Sequence, residues 1–398
     1  MKKTILLLMA AIQIVAVNVS AQNKSAGINL SLWHTVSTQP LDSLQTTYLN
    51  LGLFSRMNRL CGVGVNTIWS VVDQDVKGMQ VSGLANVTGN NFSGIQVSGL
   101  TNVNGNNSSG ILVTGLANVT GNNSRAIQVS GLANIAGTRG DGIMISGLLN
   151  LAGSYASGFH ISGLANVGGG DLRGVAASGL LNIAADNLTG VQVSGLLNVA
   201  GDNAKGIQLA GVMNVTGRTT QGLQISLFNY SEKVNGLQIG LVNFYKKEMK
   251  GFQLGLINAN PDTKVQLMLF GGNLSKINIG ARFKNQRYYT ILGGGTHYLG
   301  FGEKISGCLY YRAGAEFQLY KNLYISGDLG YQHIETFSNK GDDIPARLYA
   351  LQARMNLEYK FTDKFALFAS GGYGTDRYYN QSKTFDKGII AEAGIILF

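Results

Sequence analysis

The central part of the chain repeats one pattern of apolar and polar residues with a step of 16 positions. Residues 78–93, GMQVSGLANVTGNNFS, define the unit, and apolar residues alternate with polar ones in its first half. Nine units of this length reach Gln221, and three units of slipped length start at Gly222, Gly236 and Gly251. A repeat of this kind is typical of a fold that stacks equivalent segments.

Each unit is predicted to hold two short β-strands. Glycine recurs within every unit, and each glycine inside a helix costs roughly 1 kcal/mol. Ile95 and Val97 alternate with polar residues, and Leu100 and Val103 follow a turn at Ser98-Gly99. A membrane-crossing strand needs about 9 to 11 residues, so the unit is too short for a membrane hairpin. The repeats therefore predict a parallel β-solenoid of about twelve coils over residues 78–260, stacked about 4.8 Å apart.

Asparagine and glycine occupy fixed columns of this repeat. The asparagine column consists of Asn86, Asn102, Asn118, Asn134, Asn150, Asn166, Asn182, Asn198 and Asn214. Stacked copies of one asparagine hydrogen-bond to each other, which predicts an amide ladder that holds a turn. The glycine column at Gly78 and its equivalents, with Ala126 in one place, predicts corners with positive φ. Pairs such as Asn90-Asn91 and Asp186-Asn187 are turn signals.

The chain after Pro261 has a strict period of two. Between 347 and 359 one face carries Tyr349, Leu351, Ala353, Met355, Leu357 and Tyr359, whereas the other carries Gln352, Arg354, Asn356 and Glu358. An apolar outer face, a polar inner face and aromatic residues at the strand ends are typical of a membrane β-barrel. The predicted strands are 264–271, 275–283, 287–296, 306–319, 321–335, 346–361, 363–376 and 387–398.

Eight strands close a small barrel whose interior is filled by side chains. Tight connections at Lys321-Asn322 and Thr362-Asp363 alternate with longer polar ones near 335–346 and 376–387, as expected for periplasmic turns and outer loops. The inward charges are predicted to form an internal network rather than a transport path: Arg312, Glu316, Asp328, Arg354 and Glu358.

Two alternatives stay open at this point. Alternation alone does not distinguish a lipid-facing wall from a soluble β-sandwich or barrel. Strands within residues 22–77, around Ile28–Trp33, Tyr48–Phe54 and Val63–Val72, are expected to cap the solenoid or to join the barrel. Counting strands back from Phe398 places residue 264 on the periplasmic side, if the first hairpin is assigned correctly.

Composition adds an export signal and excludes several classes of function. Residues 1–21 are predicted to be a signal peptide, with Lys2 and Lys3 before an apolar run. The net charge is +10, but the basic residues are scattered and the chain is exported, so nucleic-acid binding is not expected. Positive charge instead favours anionic lipopolysaccharide or acidic glycans.

Candidate chemistry is sparse. Cys61 and Cys308 lie far apart in sequence, so a disulfide between them depends on the fold. The four histidines show no metal-ligand spacing, and no cofactor is predicted. Asp186 and Asp202 share a column, but no aromatic groove accompanies them, so catalysis on glycans is the weakest hypothesis.

The repeat core also carries a family resemblance. The segments GIQVSGL-ANVTGNN, GLQIGLVNF and GFQLGLINAN resemble the surface-repeat-containing outer-membrane proteins of Gram-negative bacteria over about residues 78–260. The resemblance implies an outer-membrane protein whose repeats face the cell surface. It implies no site residues.

Together these patterns predict a non-enzymatic, structural or adhesive outer-membrane protein. Its domains are expected at 1–21 (signal peptide), 22–77 (N-terminal strands), 78–260 (solenoid) and 261–398 (barrel). Expected partners are outer-membrane lipid and a glycan, host matrix or another envelope protein. The alternative from another class is a passive channel, which needs a wider barrel than eight strands supply.

Overall fold

The computed structural model describes residues 27–39, 45–261, 263–296, 299–300, 304–339, 347–378 and 386–398. Within these ranges the secondary structure consists of strands, turns and bends. No helix in the described residues is long and apolar enough to cross a membrane. The predicted signal peptide, residues 1–21, lies outside the described residues.

The first 25 strands form the solenoid. They are β1 (Ile28–Trp33), β2 (Val36–Ser37), β3 (Thr46–Met57), β4 (Arg59–Val72), β5 (Val76–Ser82), β6 (Ala85–Thr88), β7 (Phe92–Ser98), β8 (Thr101–Asn104), β9 (Ser108–Thr114), β10 (Ala117–Thr120), β11 (Asn123–Ser130), β12 (Ala133–Ala136), β13 (Arg139–Ser146), β14 (Leu149–Ala152), β15 (Tyr155–Ser162), β16 (Ala165–Gly168), β17 (Asp171–Ser178), β18 (Leu181–Ala184), β19 (Leu188–Ser194), β20 (Leu197–Ala200), β21 (Asn203–Ala210), β22 (Met213–Ile225), β23 (Phe228–Ile239), β24 (Val242–Leu254) and β25 (Ile257–Ala259).

Equivalent residues of successive repeats pair in parallel, as predicted. Ile95 of β7 lies opposite Ile111 of β9, and Asn86 of β6 lies opposite Asn102 of β8. Each coil thus holds one longer and one shorter strand. Parallel pairing already begins between β1 and β3, and β3 pairs with β4 in the same way. The N-terminal strands therefore belong to the solenoid sheet.

Two physical requirements explain the glycine columns. Gly94 has a φ of 139°, and a Cβ there would lie 1.8 Å from the carbonyl oxygen of Gly78. At Gly99 the requirement is space alone, because a Cβ would lie 2.1 Å from the carbonyl oxygen of Gly83. The predicted positive φ is therefore confirmed for the first column, but this column lies within the longer strand rather than at a corner. Close approach between coils explains the second column.

The remaining strands form the barrel sheet. They are β26 (Lys264–Gly272), β27 (Ile277–Asn285), β28 (Tyr288–Thr296), β29 (Leu299–Gly300), β30 (Lys304–Tyr320), β31 (Leu323–Asn339), β32 (Arg347–Thr362), β33 (Phe365–Tyr378) and β34 (Asp386–Leu397). Neighbouring strands are antiparallel, β28 pairs with β30, and β34 pairs with β26, so eight long strands close on themselves. Among the described residues, the short β29 pairs with β30. The predicted fold class, a parallel solenoid with an eight-stranded antiparallel barrel, is confirmed.

The two ends of the barrel differ in their connections. The turns 286–287, 321–322 and 363–364 lie at the same end as Lys264 and Phe398. Longer connections follow Thr296, Asn339 and Tyr378 at the opposite end. We call the first end the short-turn end.

The chain divides into two compact units, Met1–Gly222 and Leu223–Phe398. The second unit holds β23, β24 and β25 together with the barrel. The change from parallel to antiparallel pairing comes between β25 and β26, next to the predicted domain boundary at 260/261.

Candidate functional site

The barrel lumen is crossed by ion pairs between opposite strands. Arg312 on β30 donates to both carboxylate oxygens of Glu392 on β34, at 3.0 and 3.2 Å. Arg354 on β32 also donates to Glu392, at 3.0 and 3.1 Å. All three side chains are buried. Because β30 and β34 are four strands apart in a ring of eight, the Arg312–Glu392 pair spans the full diameter.

A second charged cluster lies nearer the short-turn end. Arg282 on β27 donates to Glu358 on the opposite strand β32, at 2.8 and 3.2 Å. Glu316 accepts from Lys284 and also lies 3.7 Å from Arg282. These carboxylates and guanidinium groups are nearly inaccessible to solvent, so removal of one partner leaves an unpaired buried charge.

Hydrogen-bonded side chains around Asp328 fill the space between the two clusters. The Tyr289 hydroxyl and the Asn356 amide both donate to Asp328, and Asn356 also donates to Ser326. An aromatic group in the same lumen packs Phe270 edge-on against Tyr310 and Phe368, with ring centroids 5.6 and 5.7 Å apart. The lumen is therefore filled by side chains at mid-height.

The structure confirms the predicted internal network of Arg312, Glu316, Asp328, Arg354 and Glu358, which are all buried. Sequence reasoning missed partners that complete it, among them Arg282, Lys284 and Glu392. Arg282 and Lys284 lie at inward positions of INIGARFKN, and Glu392 lies at an inward position of DKGIIAEAGIIL. Charges at inward positions of these strands are the signal that identifies them.

The solenoid interior is held by amide ladders. Each asparagine of the predicted column donates through Nδ2 to Oδ1 of the next, as Asn134 does to Asn150 and Asn150 to Asn166, both at 2.9 Å. Asn150 also donates to the carbonyl oxygens of Met144 and Ile161. The amide ladder is confirmed, but it lies buried on the shorter strand of each coil rather than at a turn. It is therefore a structural element of the interior.

A glutamine column forms a second interior ladder that the sequence analysis did not identify. Gln96 donates to Gln80 at 3.0 Å, and Gln208 donates to Gln192 at the same distance. In the last coils Gln253 donates to Gln238 at 2.6 Å. Glutamine recurs two residues after the column glycine in most units, and Leu112, Met144, His160 and Ala176 take its place in the others; this recurrence was the available signal.

The solenoid exterior is apolar around one corner. We call the turn at Gly83-Leu84 and its equivalents the Leu corner, and the turn at Gly89-Asn90-Asn91 and its equivalents the Asn corner. Five outward columns flank the Leu corner, headed by Met79, Val81, Leu84, Ala85 and Val87. We call these the apolar columns. Between residues 78 and 221 their one polar member is Thr101.

Exposure of the apolar columns is substantial. The relative exposure of Leu100 is 43%, of Leu148 42% and of Phe159 54%. Interior positions of the same coils hold polar residues such as Gln96, Ser146 and Asn150 beside apolar ones such as Met144 and Ala152. Near the Leu corner the solenoid therefore resembles the barrel in exposing apolar side chains while burying many polar ones.

Every charged side chain between residues 78 and 222 lies at the Asn corner or at the first outward position of the strand that follows it. These residues are Arg125, Arg139, Asp141, Asp171, Arg173, Asp186, Asp202, Lys205 and Arg218. Asp141 lies 3.8 Å from Arg125 and 3.6 Å from Arg139. The perimeter of each coil is thus divided into an apolar and a charged part.

Asp186 and Asp202, the two acids considered for catalysis, lie at this corner on neighbouring coils. The amide of Asp202 donates to the carbonyl oxygen of Asp186 at 2.8 Å. Asp186 is exposed, and the Asp202 carboxylate is paired with Arg218 at 3.0 Å. Both acids therefore lie at the solvated Asn corner rather than in an enclosed pocket.

The other titratable groups differ in their burial and in their hydrogen-bond partners. His160 occupies the glutamine column, and burial lowers the pKa of its imidazole. On β23, a hydrogen bond from Lys247 lowers the pKa of the Glu232 carboxyl. Cys61 is exposed, Cys308 is buried, and both are free thiols. Within the described ranges no cluster of three or more His, Cys, Asp or Glu side chains is arranged to hold a metal ion.

The last coil, residues 242–260, packs on the outer wall of the barrel within the second unit. Tyr311 donates to the carbonyl oxygen of Gly255 at 3.0 Å, and Asn258 donates to Thr290 at 2.8 Å. Thr290 and Tyr311 alternate with the inward Tyr289 and Arg312, so both point away from the lumen. The last rung of the asparagine ladder thus ends on the barrel.

Comparison with known proteins finds one solved structure with a distant likeness to part of the chain. No protein-family model matches the chain, and no curated protein matches it. One solved structure, the crystal structure of Neisserial surface protein A (NspA), has a likeness covering 33% of this chain and 92% of that chain. The identity is 14% and the TM-score is 0.22. The predicted membership of the surface-repeat family therefore stays a prediction.

Proposed function

We propose that this chain is a non-enzymatic structural protein of the outer membrane, anchored by its barrel. An eight-stranded barrel with an apolar outer wall and a polar lumen fits a place in that membrane. Leu309, Leu329 and Leu351 on the outer wall are 67%, 69% and 65% exposed, whereas Arg312, Arg354 and Glu392 are buried inside. This inverted polarity is the observation that carries the proposal, because a soluble barrel places its apolar face inside.

The filled lumen favours an anchor over the alternative of a passive channel. Arg312–Glu392 and Arg282–Glu358 both span the diameter, and the aromatic group around Phe270 fills the space beside them. An ion passing through would have to displace buried, paired charges, which costs several kcal/mol per ion.

The test uses the full-length chain in isolated outer membranes and in planar bilayers. We expect the unboiled protein to migrate differently from the boiled protein on a gel, and we expect no steady conductance. Recovery of the protein as soluble periplasmic material would overturn the membrane assignment. A steady single-channel conductance that is seen with the protein and is absent from bilayers without it would overturn the anchor in favour of the channel.

The side of the membrane on which the repeats lie needs a separate argument. The family resemblance predicts surface exposure, whereas counting strands back from Phe398 predicts the periplasmic side. In the second unit, however, the last coil lies on the barrel at the short-turn end, where Gln286 donates to the carbonyl oxygen of Met249 at 3.4 Å. Short turns are periplasmic in bacterial outer-membrane barrels. We therefore propose that the repeats lie on the periplasmic side and have a structural rather than an adhesive role.

Cys61 is a native reporter of this placement, because it is exposed on the solenoid while Cys308 is buried. We expect a membrane-impermeant maleimide to label Cys61 only after the outer membrane is permeabilised. The variant Cys61→Ser controls for reaction at Cys308. Labelling of Cys61 on intact cells would return the repeats to the cell surface and favour the adhesive role. Glycan, host matrix and other envelope proteins stay predicted partners.

A further inference from the structure

The apolar columns of the solenoid form a continuous apolar surface, which is unusual for a rod that is surrounded by water. Soluble monomers seldom expose contiguous apolar patches of more than a few hundred Å². Here rows of Leu, Ile and Val continue through successive coils, with exposures such as 43% at Leu132 and 44% at Ile161. The polar groups that normally cover such a rod are instead buried in its amide ladders.

We propose that the apolar columns are a lipid-contacting surface and that the Leu corner lies among the acyl chains of one membrane leaflet. This inference rests on the proposed place of the barrel in the outer membrane. It commits to lipid as the occupant, and a second copy of the chain is a competing outcome of the test.

The dimensions of the coil fit a single leaflet. The apolar columns on the longer strand extend from the position of Met79 to the Leu corner at Leu84. At about 3.3 Å per residue this distance is about 17 Å, close to the roughly 15 Å that one leaflet contributes to the hydrocarbon core. The charged Asn corner lies at the other end of the coil, where headgroups and water would solvate it.

The second unit shows the same orientation directly against the barrel wall. At the short-turn end, the Tyr245 hydroxyl donates to Asn285 at 2.8 Å, next to the turn 286–287. Further up the wall, the Leu-corner residue Gly255 accepts from Tyr311. Tyr311 pairs with Leu292, four residues beyond the start of β28 at Tyr288, or about 13 Å along the strand. The coil therefore has its polar corner at the rim and its apolar corner beside the lipid-facing wall.

An apolar groove marks the junction of this coil with the barrel. It has a volume of about 430 Å³ and is lined by Phe252, Tyr288, Ala313, Ala315, Leu329 and Ala353. The rings of Phe252 and Tyr288 meet edge-on with their centroids 5.1 Å apart. Small outward residues at this place leave room for an acyl chain between the coil and the wall.

The backbone hydrogen bonds at the Leu corner are compatible with a place in the hydrocarbon region. Peptide groups in hydrocarbon must be hydrogen-bonded within the protein. Between residues 84 and 212 the second residue of each Leu corner donates its amide to the coil before it, as Leu132 does to Leu116 at 2.9 Å and Leu148 to Leu132 at 3.0 Å. At the edge of the last coil, Tyr311 satisfies the carbonyl group of Gly255.

The native tryptophans test the proposal without any substitution. Trp33 and Trp69 are the two tryptophans of the chain. Both are more than 40% exposed, and Trp69 lies in the column of Ala85. We expect emission of the full-length protein in phosphatidylcholine vesicles to fall about twofold when the acyl chains carry bromine, because the indoles lie at acyl depth. Unchanged emission would overturn the inference.

A matched pair of variants tests the orientation of the coil. In a background of Trp33→Phe and Trp69→Phe, Leu148→Trp places the indole at the Leu corner and Ser154→Trp places it at the exposed Asn corner of the same coil. We expect acyl-chain bromine to quench only Leu148→Trp. Equal quenching of both variants would overturn insertion into one leaflet. Absence of quenching, with cross-links between chains, would assign the surface to a second copy.

Gel mobility of the same samples separates this inference from the proposed function. A heat-dependent mobility shift without bromine quenching overturns only the lipid contact, because the barrel is then folded in the membrane. Loss of the mobility shift overturns the anchor itself, and the lipid contact that rests on it.

Discussion

The barrel and the solenoid both bury polar side chains and expose apolar ones. They differ in how the buried polar side chains find their partners. The barrel uses opposite charges, such as Arg312 and Glu392, that meet across the lumen. The solenoid uses neutral amides, such as Asn134 and Asn150, that meet their own copies in the next coil. The barrel interior has no repeating unit, whereas the solenoid interior is one unit repeated.

This difference shows that stacking identical coils restricts which polar side chains can be buried in the interior. A stack of coils places identical side chains about 4.8 Å apart. An amide both donates and accepts, so a column of amides is self-complementary, whereas a column of carboxylates or guanidinium groups would repel itself. Charged side chains between residues 78 and 222 accordingly lie outside, at the Asn corner or at the first outward position of the strand that follows it, and Asp202 pairs there with Arg218. The barrel strands differ from each other, so opposite charges can be matched.

The sharpest test of this comparison is removal of the charge shared by two arginines in the barrel. We expect Glu392→Gln to lower the free energy of unfolding by about 3–5 kcal/mol, because it leaves Arg312 and Arg354 buried without a counter-charge. Urea unfolding in vesicles, followed by gel mobility, measures the effect. The control is Glu335→Gln, which removes a solvent-accessible pair with Arg347 and should lower the free energy of unfolding much less. Equal losses would contradict a barrel held by its buried charges.

The corresponding test in the solenoid interrupts the amide ladder. We expect Asn150→Ala to lower the free energy of unfolding by about 2–3 kcal/mol, because buried partners such as the carbonyl oxygen of Ile161 lose their donor. The measure is the urea midpoint of protease resistance in the repeats. Asn122→Ala at the exposed corner removes a ladder bond to Asn106 that water can replace, and should change the midpoint little. A larger effect at Asn122 would show that the surface ladder supports the stack.

The smallest expected effect concerns His160, the one titratable side chain in the glutamine column. Its pKa is lowered from 6.5 by burial, so the unfolded chain binds a proton more readily than the folded chain. Stability contributed by neutral His160 is present above pH 6.5 and is lost as the pH falls below that value. We expect a loss of at most about 1.4 kcal/mol between pH 7.5 and 5.5. The nearby Asp141 opposes the shift and makes the loss smaller.

The variant His160→Gln restores the usual residue of the column and should remove this part of the pH dependence. Urea midpoints at the two pH values, measured for both proteins, provide the comparison. An unchanged pH dependence in the variant would assign it to other groups and leave the interior ladder insensitive to pH.

Much of the architecture could be predicted because it is periodic. The 16-residue step predicted coil-to-coil pairing such as Ile95 with Ile111, and the period of two predicted the eight barrel strands. Arg312 and Arg354 were identified as interior charges from the same alternation. Glu392, which pairs with both, was missed because its partners are 80 and 38 residues away and no local pattern joins them.

Periodicity also left the orientation of the repeat undetermined. A period of two says that Ile95 and Gln96 face opposite ways, but it does not say which one faces the interior. The structure buries Gln96 and exposes Ile95, because the buried amide finds Gln80 in the adjacent coil and the isoleucine remains outside. Strand positions follow from the local order of residues. The inner face, the cross-lumen ion pairs and the seat of Asn258 on Thr290 depend on partners that only the folded chain brings together.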